Sequence, residues 1–187
     1  MPLTRRQPAE AVERAWPTGP DLARLVAVLL AAWLLQTTVA PNVRILGANP
    51  DFALIIVVSV GLLRGSEVGA VFGFLTGALV AVSLMEPLGV SSFVFVLVGY
   101  YAGRYAETAD LSTGVAPMVS VFAGTLLADI LLVTAQYLLE RQVPLGFTFT
   151  RVVVPSLVLN TLLAVPFYVA VRVALRGPGV LRAHETA

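Results

Sequence analysis

The chain has 187 residues, of which 58% are hydrophobic and only 12% are charged, and its formal net charge is +1. Soluble domains carry roughly 25% charged residues, so this composition excludes a water-soluble globule and predicts an integral membrane protein. The small net charge gives no sign of a nucleic-acid partner. The chain has no cysteine and one histidine, which excludes thiolate metal sites and histidine-based catalytic triads. We therefore expect no metal, no cofactor and no enzymatic activity.

Six apolar runs follow an N-terminal tail of residues 1–20, which holds three arginines among four prolines. The runs cover residues 22–40, 52–63, 68–84, 90–102, 115–139 and 152–175. A helix needs about 20 residues to cross the bilayer, and the second and fourth runs are shorter than this. We expect an all-α integral membrane protein, with a compact bundle of six transmembrane helices over residues 21–176. The second and fourth helices are short, and residues 177–187 form a C-terminal tail.

The twelve basic residues are all arginines, and their distribution predicts the orientation of the bundle. With six spans and a cytoplasmic N-terminus, nine arginines lie on the inner side and three on the outer side. The outer ones are Arg44, Arg141 and Arg151. If the two short runs only dip into the membrane and return, the division is eight to four. The positive-inside rule therefore favours six spans with both termini in the cytoplasm.

Small residues recur every fourth position in the third and fifth runs. The glycine series is Gly69, Gly73, Gly77 and Ala81. The alanine series is Ala116, Ser120, Gly124 and Ala128, and a weaker one in the first run is Ala23, Ala27 and Ala31. Such spacing bares one face of a helix, so that a second helix can approach closely in lipid. Each series is either a docking face for a partner helix or a seal within the bundle. We favour the seal for the glycine series, because a glycine that faces lipid gains nothing.

Two residues mark the ends of the short second helix. Pro50 and Asp51 come just before it, where proline and a carboxylate both suit a helix N-terminus. Arg64 lies at the carbonyl end, which favours a positive charge. Glu67 follows Arg64 closely, and we expect the two side chains to form an ion pair.

An aspartate near the middle of the fifth run is the main polar candidate. An ionisable group within a span is costly, and Asp129 shares its helix face with Thr125 and Gln136. Counting from the run ends places Asn160 at the same depth, which predicts an Asp129–Asn160 hydrogen bond. The pair is either a structural clasp with a protonated carboxyl group or part of a proton or ligand site. Glu86 belongs to a separate polar cap on the outer side.

The order of short motifs along the chain resembles the rod-shape-determining MreD family. The motifs are Pro50-Asp51, Arg64, Gly73-Phe74 with Gly77, Pro87-Leu88-Gly89, and Val98-Gly99-Tyr100 with Ala102-Gly103. Many members of that family carry an aspartate at the position that Ala81 occupies in this chain. No role of that acid carries over to this protein.

The resemblance implies a non-enzymatic scaffold of the bacterial cell-elongation machinery in the inner membrane. It implies an MreC-like single-span membrane protein as the partner. Through that partner it implies links to MreB filaments and to the synthases that build lateral peptidoglycan. A homodimer within the lipid bilayer is also compatible with the sequence.

The same resemblance implies a fold similar to the substrate-binding S-components of energy-coupling-factor vitamin transporters. The alternative function is therefore a subunit that binds a small molecule for uptake, with Glu86, Asp129 and Asn160 lining its pocket. A proton-coupled carrier centred on Asp129 is a third hypothesis.

Overall fold

A computed structural model of the chain describes residues 19–44, 48–85, 89–108, 114–138 and 153–176. These residues contain six α-helices, as the sequence predicts. The helices are α1 (Gly19–Leu34), α2 (Phe52–Arg64), α3 (Ser66–Leu84), α4 (Val90–Ala106), α5 (Val115–Leu138) and α6 (Val154–Leu175). A π-helical turn, Leu35–Val39, and a 3-10 turn, Ala40–Asn42, continue α1.

Four segments in the described part of the chain are long and apolar enough to cross a membrane. They are Gly19–Asn42, Ser66–Leu84, Val115–Ala135 and Val154–Leu175. The helix α2 is apolar but shorter, with 13 residues. The helix α4 continues one turn past its apolar run and has 17 residues, so it is about 25 Å long.

The short helix α2 lies at the centre of the bundle. It contacts each of the other helices, which form a ring around it in the order α1, α3, α4, α5, α6. All of its residues from Phe52 to Leu62 are buried. A helix that is hydrophobic on every side is suited to such a position. Because protein surrounds α2, its length does not have to match the thickness of the hydrocarbon layer.

Side-chain contacts at both ends of α2 show that α1 runs in the opposite direction. Gln36, just after α1, accepts a hydrogen bond from the backbone N–H of Ala53 at 3.1 Å. At the other end, Asp21 in the first turn of α1 lies 3.3 Å from Arg64. The two helices are therefore antiparallel.

The helix α6 runs parallel to α2. Its residue Asn160 lies beside Asp51, before the start of α2, and the carbonyl oxygen of Leu175 lies beside Arg64. These contacts define two ends of the bundle, which we name the Asp51 end and the Arg64 end. Asn160 is six residues, or about 9 Å, after the start of α6. Because the start of α2 lies beside Asn160, the N-terminus of α2 is within the bundle.

The remaining helices continue the alternation of direction. Gly65 alone joins α2 to α3, with a φ of 91° that favours glycine. The helix α4 is antiparallel to α3, because Gly103 lies beside Ser66 and Ser92 lies beside Gly77. The helix α5 is antiparallel to α6. Each helix thus runs opposite to the one before it, which is the arrangement that six crossings require.

Candidate functional site

The glycine series of α3 lies against the backbone of α4. A Cβ atom added to Gly73 would overlap the carbonyl oxygen of Phe95, and one added to Gly77 would lie 2.6 Å from the Cα atom of Ser92. Real Cβ atoms are not found this close to backbone atoms. Ala81, the last member of the series, is fully buried. The face is therefore occupied within the bundle and is not free for a partner.

The glycines of the α4 motif form the opposite side of this interface. A Cβ atom on Gly99 would overlap the carbonyl oxygen of Gly69, and one on Gly103 would overlap the backbone of Ser66. Gly61 of α2 meets them there, since its Cβ would lie 2.6 Å from the carbonyl oxygen of Gly99. The backbones of α2, α3 and α4 are thus in contact at these glycines. Sequence reasoning missed Gly61, although it is a break in a run of large apolar residues.

The alanine series of α5 is also buried. Ala116, Ser120 and Ala128 are 4%, 8% and 1% exposed. A Cβ atom on Gly124 would lie 3.1 Å from a methyl group of Val98 on α4 and 3.2 Å from one of Val58 on α2. The series therefore packs α5 onto α2 and α4. By contrast, Ala23, Ala27 and Ala31 on α1 are exposed.

Side chains satisfy the first backbone N–H groups of α2 inside the bundle. The Asp51 side chain accepts a hydrogen bond from the Leu54 N–H at 2.9 Å, as a helix cap does. The N–H of Asp51 donates to Oδ1 of Asn160 at 2.9 Å, and that of Ala53 donates to Gln36. Free N–H groups at a helix start are costly away from water, so these contacts allow α2 to begin at this depth.

Two hydrogen bonds join α5 to α6, and they correct one prediction. Ser156 lies 2.9 Å from Oδ2 of Asp129, and Nδ2 of Asn160 donates to the Thr125 hydroxyl at 3.3 Å. The predicted Asp129–Asn160 hydrogen bond is wrong. The prediction counted depth from the ends of the apolar runs, whereas the actual register of α5 and α6 differs by one helical turn. Asp129 therefore meets the residue one turn before Asn160.

A small ionic cluster lies at the Arg64 end. Arg64 contacts Asp21 and the carbonyl oxygen of Leu175, each at 3.3 Å, and Arg24 contacts the same aspartate at 3.1 Å. The predicted pair between Arg64 and Glu67 is wrong. The chain turns at Gly65, and Glu67 is exposed on α3, so Arg64 instead reaches α1 and α6. The cluster joins the ends of three helices.

A family model for the rod shape-determining protein MreD matches residues 22–177 of the chain. The chain belongs to the MreD family. It is therefore a membrane protein of a non-enzymatic family that determines rod shape. No curated protein and no solved structure matches the chain. The likeness to S-components, which was expected from the resemblance, stays a prediction.

Among the other motif residues of this MreD family chain, Pro50 is buried before the start of α2, whereas Gly89 and Tyr100 lie at the surface. Gly89 precedes α4 and has a φ of 104°, and Tyr100 is 41% exposed. Pro87 and Glu86 lie outside the described residues. Gln136 is on α5, and its side chain is not among those that the structure describes. The outer polar cap around Glu86 therefore stays a prediction.

The described part of this MreD family protein shows apolar grooves and no cluster of metal-binding side chains. One groove lies between α1 and α3 and is lined by apolar side chains such as Leu25, Val68 and Phe72. A second groove of about 320 Å³ lies between α4 and α5, where Tyr101 and Ser120 contribute to the lining. Such grooves can take apolar helices or lipid chains.

Proposed function

We propose that this MreD family protein is a non-enzymatic scaffold of the bacterial cell-elongation complex. It binds the transmembrane helix of an MreC-like single-span protein. Through that partner it connects to MreB filaments and supports the synthases of lateral peptidoglycan. The family match over residues 22–177 is the observation that carries this proposal.

The interior of the bundle supports a scaffold more than a carrier. The glycine and alanine series are used to pack the helices against one another. The described polar groups near the centre bond to one another or to the backbone. A fixed interior of this kind suits a protein that presents a surface to a partner. The partner helix then meets the outside of the ring of helices.

The charges support an orientation in which the Arg64 end faces the cytoplasm. The described arginines at that end are Arg24, Arg64, Arg104, Arg172 and Arg176. In the described residues the Asp51 end carries Arg44. This bias agrees with the positive-inside rule. The proposal includes a domain over residues 21–176 and cytoplasmic tails over residues 1–20 and 177–187.

The uptake alternative receives less support from the contacts. Asn160 is 1% exposed, and both ends of its amide group are hydrogen-bonded. Asp129 bonds to Ser156. A vitamin site needs several convergent polar groups in a pocket, and two of the three expected ones are engaged inside the protein. Mass spectrometry of the purified protein is expected to find no bound vitamin.

Depletion of the protein in a rod-shaped host tests the proposed function. We expect depleted cells to become round, and expression of the wild-type chain to restore the rods. Depleted cells that stay rod-shaped would overturn the proposal. A bound vitamin, or capture with a transporter coupling subunit, would favour the uptake alternative instead.

A further inference from the structure

The groove between α4 and α5, which we name the α4–α5 groove, is lined largely by small and aromatic residues. Ala102 on α4 and Ala123 and Gly124 on α5 line it, together with Tyr101 and Tyr105 of α4. The groove has a volume of about 320 Å³. Small residues allow the backbone of another helix to come close, as α3 and α4 do within this protein.

Ser120 is one of the residues that line this groove, and its buried hydroxyl has no hydrogen-bond partner in the described part of the chain. Ser120 is 8% exposed, and its oxygen is the one buried side-chain polar atom in the described residues without a partner. Several other hydroxyls within the helices bond to a carbonyl oxygen one turn back. Ser59, Thr76 and Thr161 do so at 2.8, 2.8 and 2.6 Å. Buried polar groups are normally paired, so an unpaired hydroxyl suggests a missing partner.

We propose that the α4–α5 groove is the docking site of the partner's transmembrane helix, which brings a hydroxyl or amide side chain to Ser120. A lipid chain also fits an apolar groove, but its methylene groups cannot bond to the hydroxyl. A helix with a polar residue among small ones supplies both the shape and the hydrogen bond. This inference rests on the proposed function, because the partner is the same protein.

The position of Ser120 predicts where the partner's polar residue lies. Ser120 is five residues after the start of α5, at the Arg64 end, or about 7 Å along the helix. The partner's polar side chain therefore belongs within about two turns of the cytoplasmic end of its span. Tyr101 and Tyr105 lie near the same end, where interfacial aromatic side chains anchor helices.

Three single variants test the docking site by affinity capture of the MreC-like partner from native membranes. Ala123→Leu fills the exposed side of the groove and is expected to lower capture at least tenfold. Ser120→Ala removes the hydroxyl and is expected to weaken capture about three- to fifteen-fold, in line with single hydrogen bonds between membrane helices. Ala170→Leu is the matched control, since Ala170 is exposed on α6, and it should leave capture unchanged.

Thermal unfolding of the purified variants separates docking from folding. Ser120→Ala loses no hydrogen bond within the described protein, so its melting temperature should equal or exceed that of the wild type. A variant that loses capture because it is unfolded would instead show a lowered melting temperature. If Ser120→Ala lowers the melting temperature and capture together, the hydroxyl has a structural role and the proposal is wrong.

Photo-crosslinking in native membranes provides the second measurement. A benzophenone amino acid at position 123 is expected to form a crosslink with the partner, whereas the same group at position 170 is not. Crosslinks to lipid alone at position 123 would show that lipid occupies the groove and would overturn the proposal. Loss of capture in Ala27→Leu, with Ala123→Leu unaffected, would place the partner on α1 instead.

These outcomes are distinct from failure of the proposed function. If the wild-type chain captures the partner and both groove variants also capture it, the docking site is wrong and the function stands. If the wild-type chain captures no partner from native membranes, the proposed function itself fails.

Discussion

At the scale of single residues, the Ser156 hydroxyl shows how Asp129 is accommodated. It lies 2.9 Å from Oδ2 of Asp129 and 2.9 Å from the carbonyl oxygen of Val153. A hydroxyl has one proton and cannot donate to both oxygens. If Asp129 carries a proton and donates to Ser156, and Ser156 donates to Val153, each contact is a hydrogen bond. We therefore propose that Asp129 is protonated and forms the structural clasp with Ser156.

Replacement of Asp129 by asparagine therefore has a definite expected result. The amide group of Asp129→Asn can donate to Ser156 as a protonated acid does, so we expect cells to keep their rod shape and the melting temperature to change little. Asp129→Ala removes the contact and should cost about 1 kcal/mol. Thermal unfolding and cell shape are the measurements. A folded Asp129→Asn protein that fails to maintain rods would contradict the clasp and support a proton role.

Asn160 joins three helices, and its loss should be more harmful. Asn160→Ala leaves the N–H of Asp51 and the Thr125 hydroxyl without their partner. We expect a loss of about 1–3 kcal/mol in unfolding free energy, the range for buried unpaired groups. Thr161→Ala is the control, because the Thr161 hydroxyl bonds to a carbonyl oxygen of its own helix. Equal stability of the two variants would show that the network contributes nothing.

At the scale of helices, the interface of α3 and α4 depends on glycine. Gly73→Ala would place a methyl group against the carbonyl oxygen of Phe95, and neither backbone can easily move. Overpacking of this kind costs about 1–3 kcal/mol. Gly114→Ala is the control, because nothing lies within 4 Å of its added Cβ. Thermal unfolding in detergent should show a lower melting temperature for Gly73→Ala alone. Equal melting temperatures would contradict the close packing.

The sequence predicted the helices better than it predicted their register. Spacing alone indicated a bare face on α3, because glycines four apart must lie on one side. Spacing did not reveal Gly61, since a single glycine in an apolar run is not part of a repeat. The predicted pairing of Asp129 with Asn160 is wrong because the ends of the apolar runs do not give the register of α5 and α6. Hydropathy shows which residues are in a run, but packing at glycine contacts decides how far one helix slides along another.

At the scale of the whole molecule, the ring of five helices explains the short α2. The sequence left open whether the second and fourth runs cross the membrane or return, because length was judged against the bilayer. The thickness of the bilayer does not set the length of α2, because α2 contacts protein on every side. The alternating directions of all six helices favour crossings. The identity of the surrounding helices depends on contacts far apart in the chain, which local sequence patterns do not contain.

Single cysteines can test the proposed orientation, since the chain has none of its own. Asn42 and Glu67 are both exposed, at opposite ends of the bundle. In spheroplasts, whose outer membrane has been removed and whose inner membrane is intact, we expect Asn42→Cys to react with a membrane-impermeant maleimide. Glu67→Cys should react only after the membrane is opened. The reverse pattern would contradict the orientation, and reaction of both cysteines from outside would contradict the six crossings.

Capture of the tagged wild-type protein from native membranes in mild detergent, followed by mass spectrometry, tests the scaffold function most directly. We predict that the MreC-like single-span protein is enriched over a capture with an unrelated tagged membrane protein, and that no vitamin is bound. Absence of that partner, together with recovery of a transporter coupling subunit or a bound small molecule, would contradict the scaffold function.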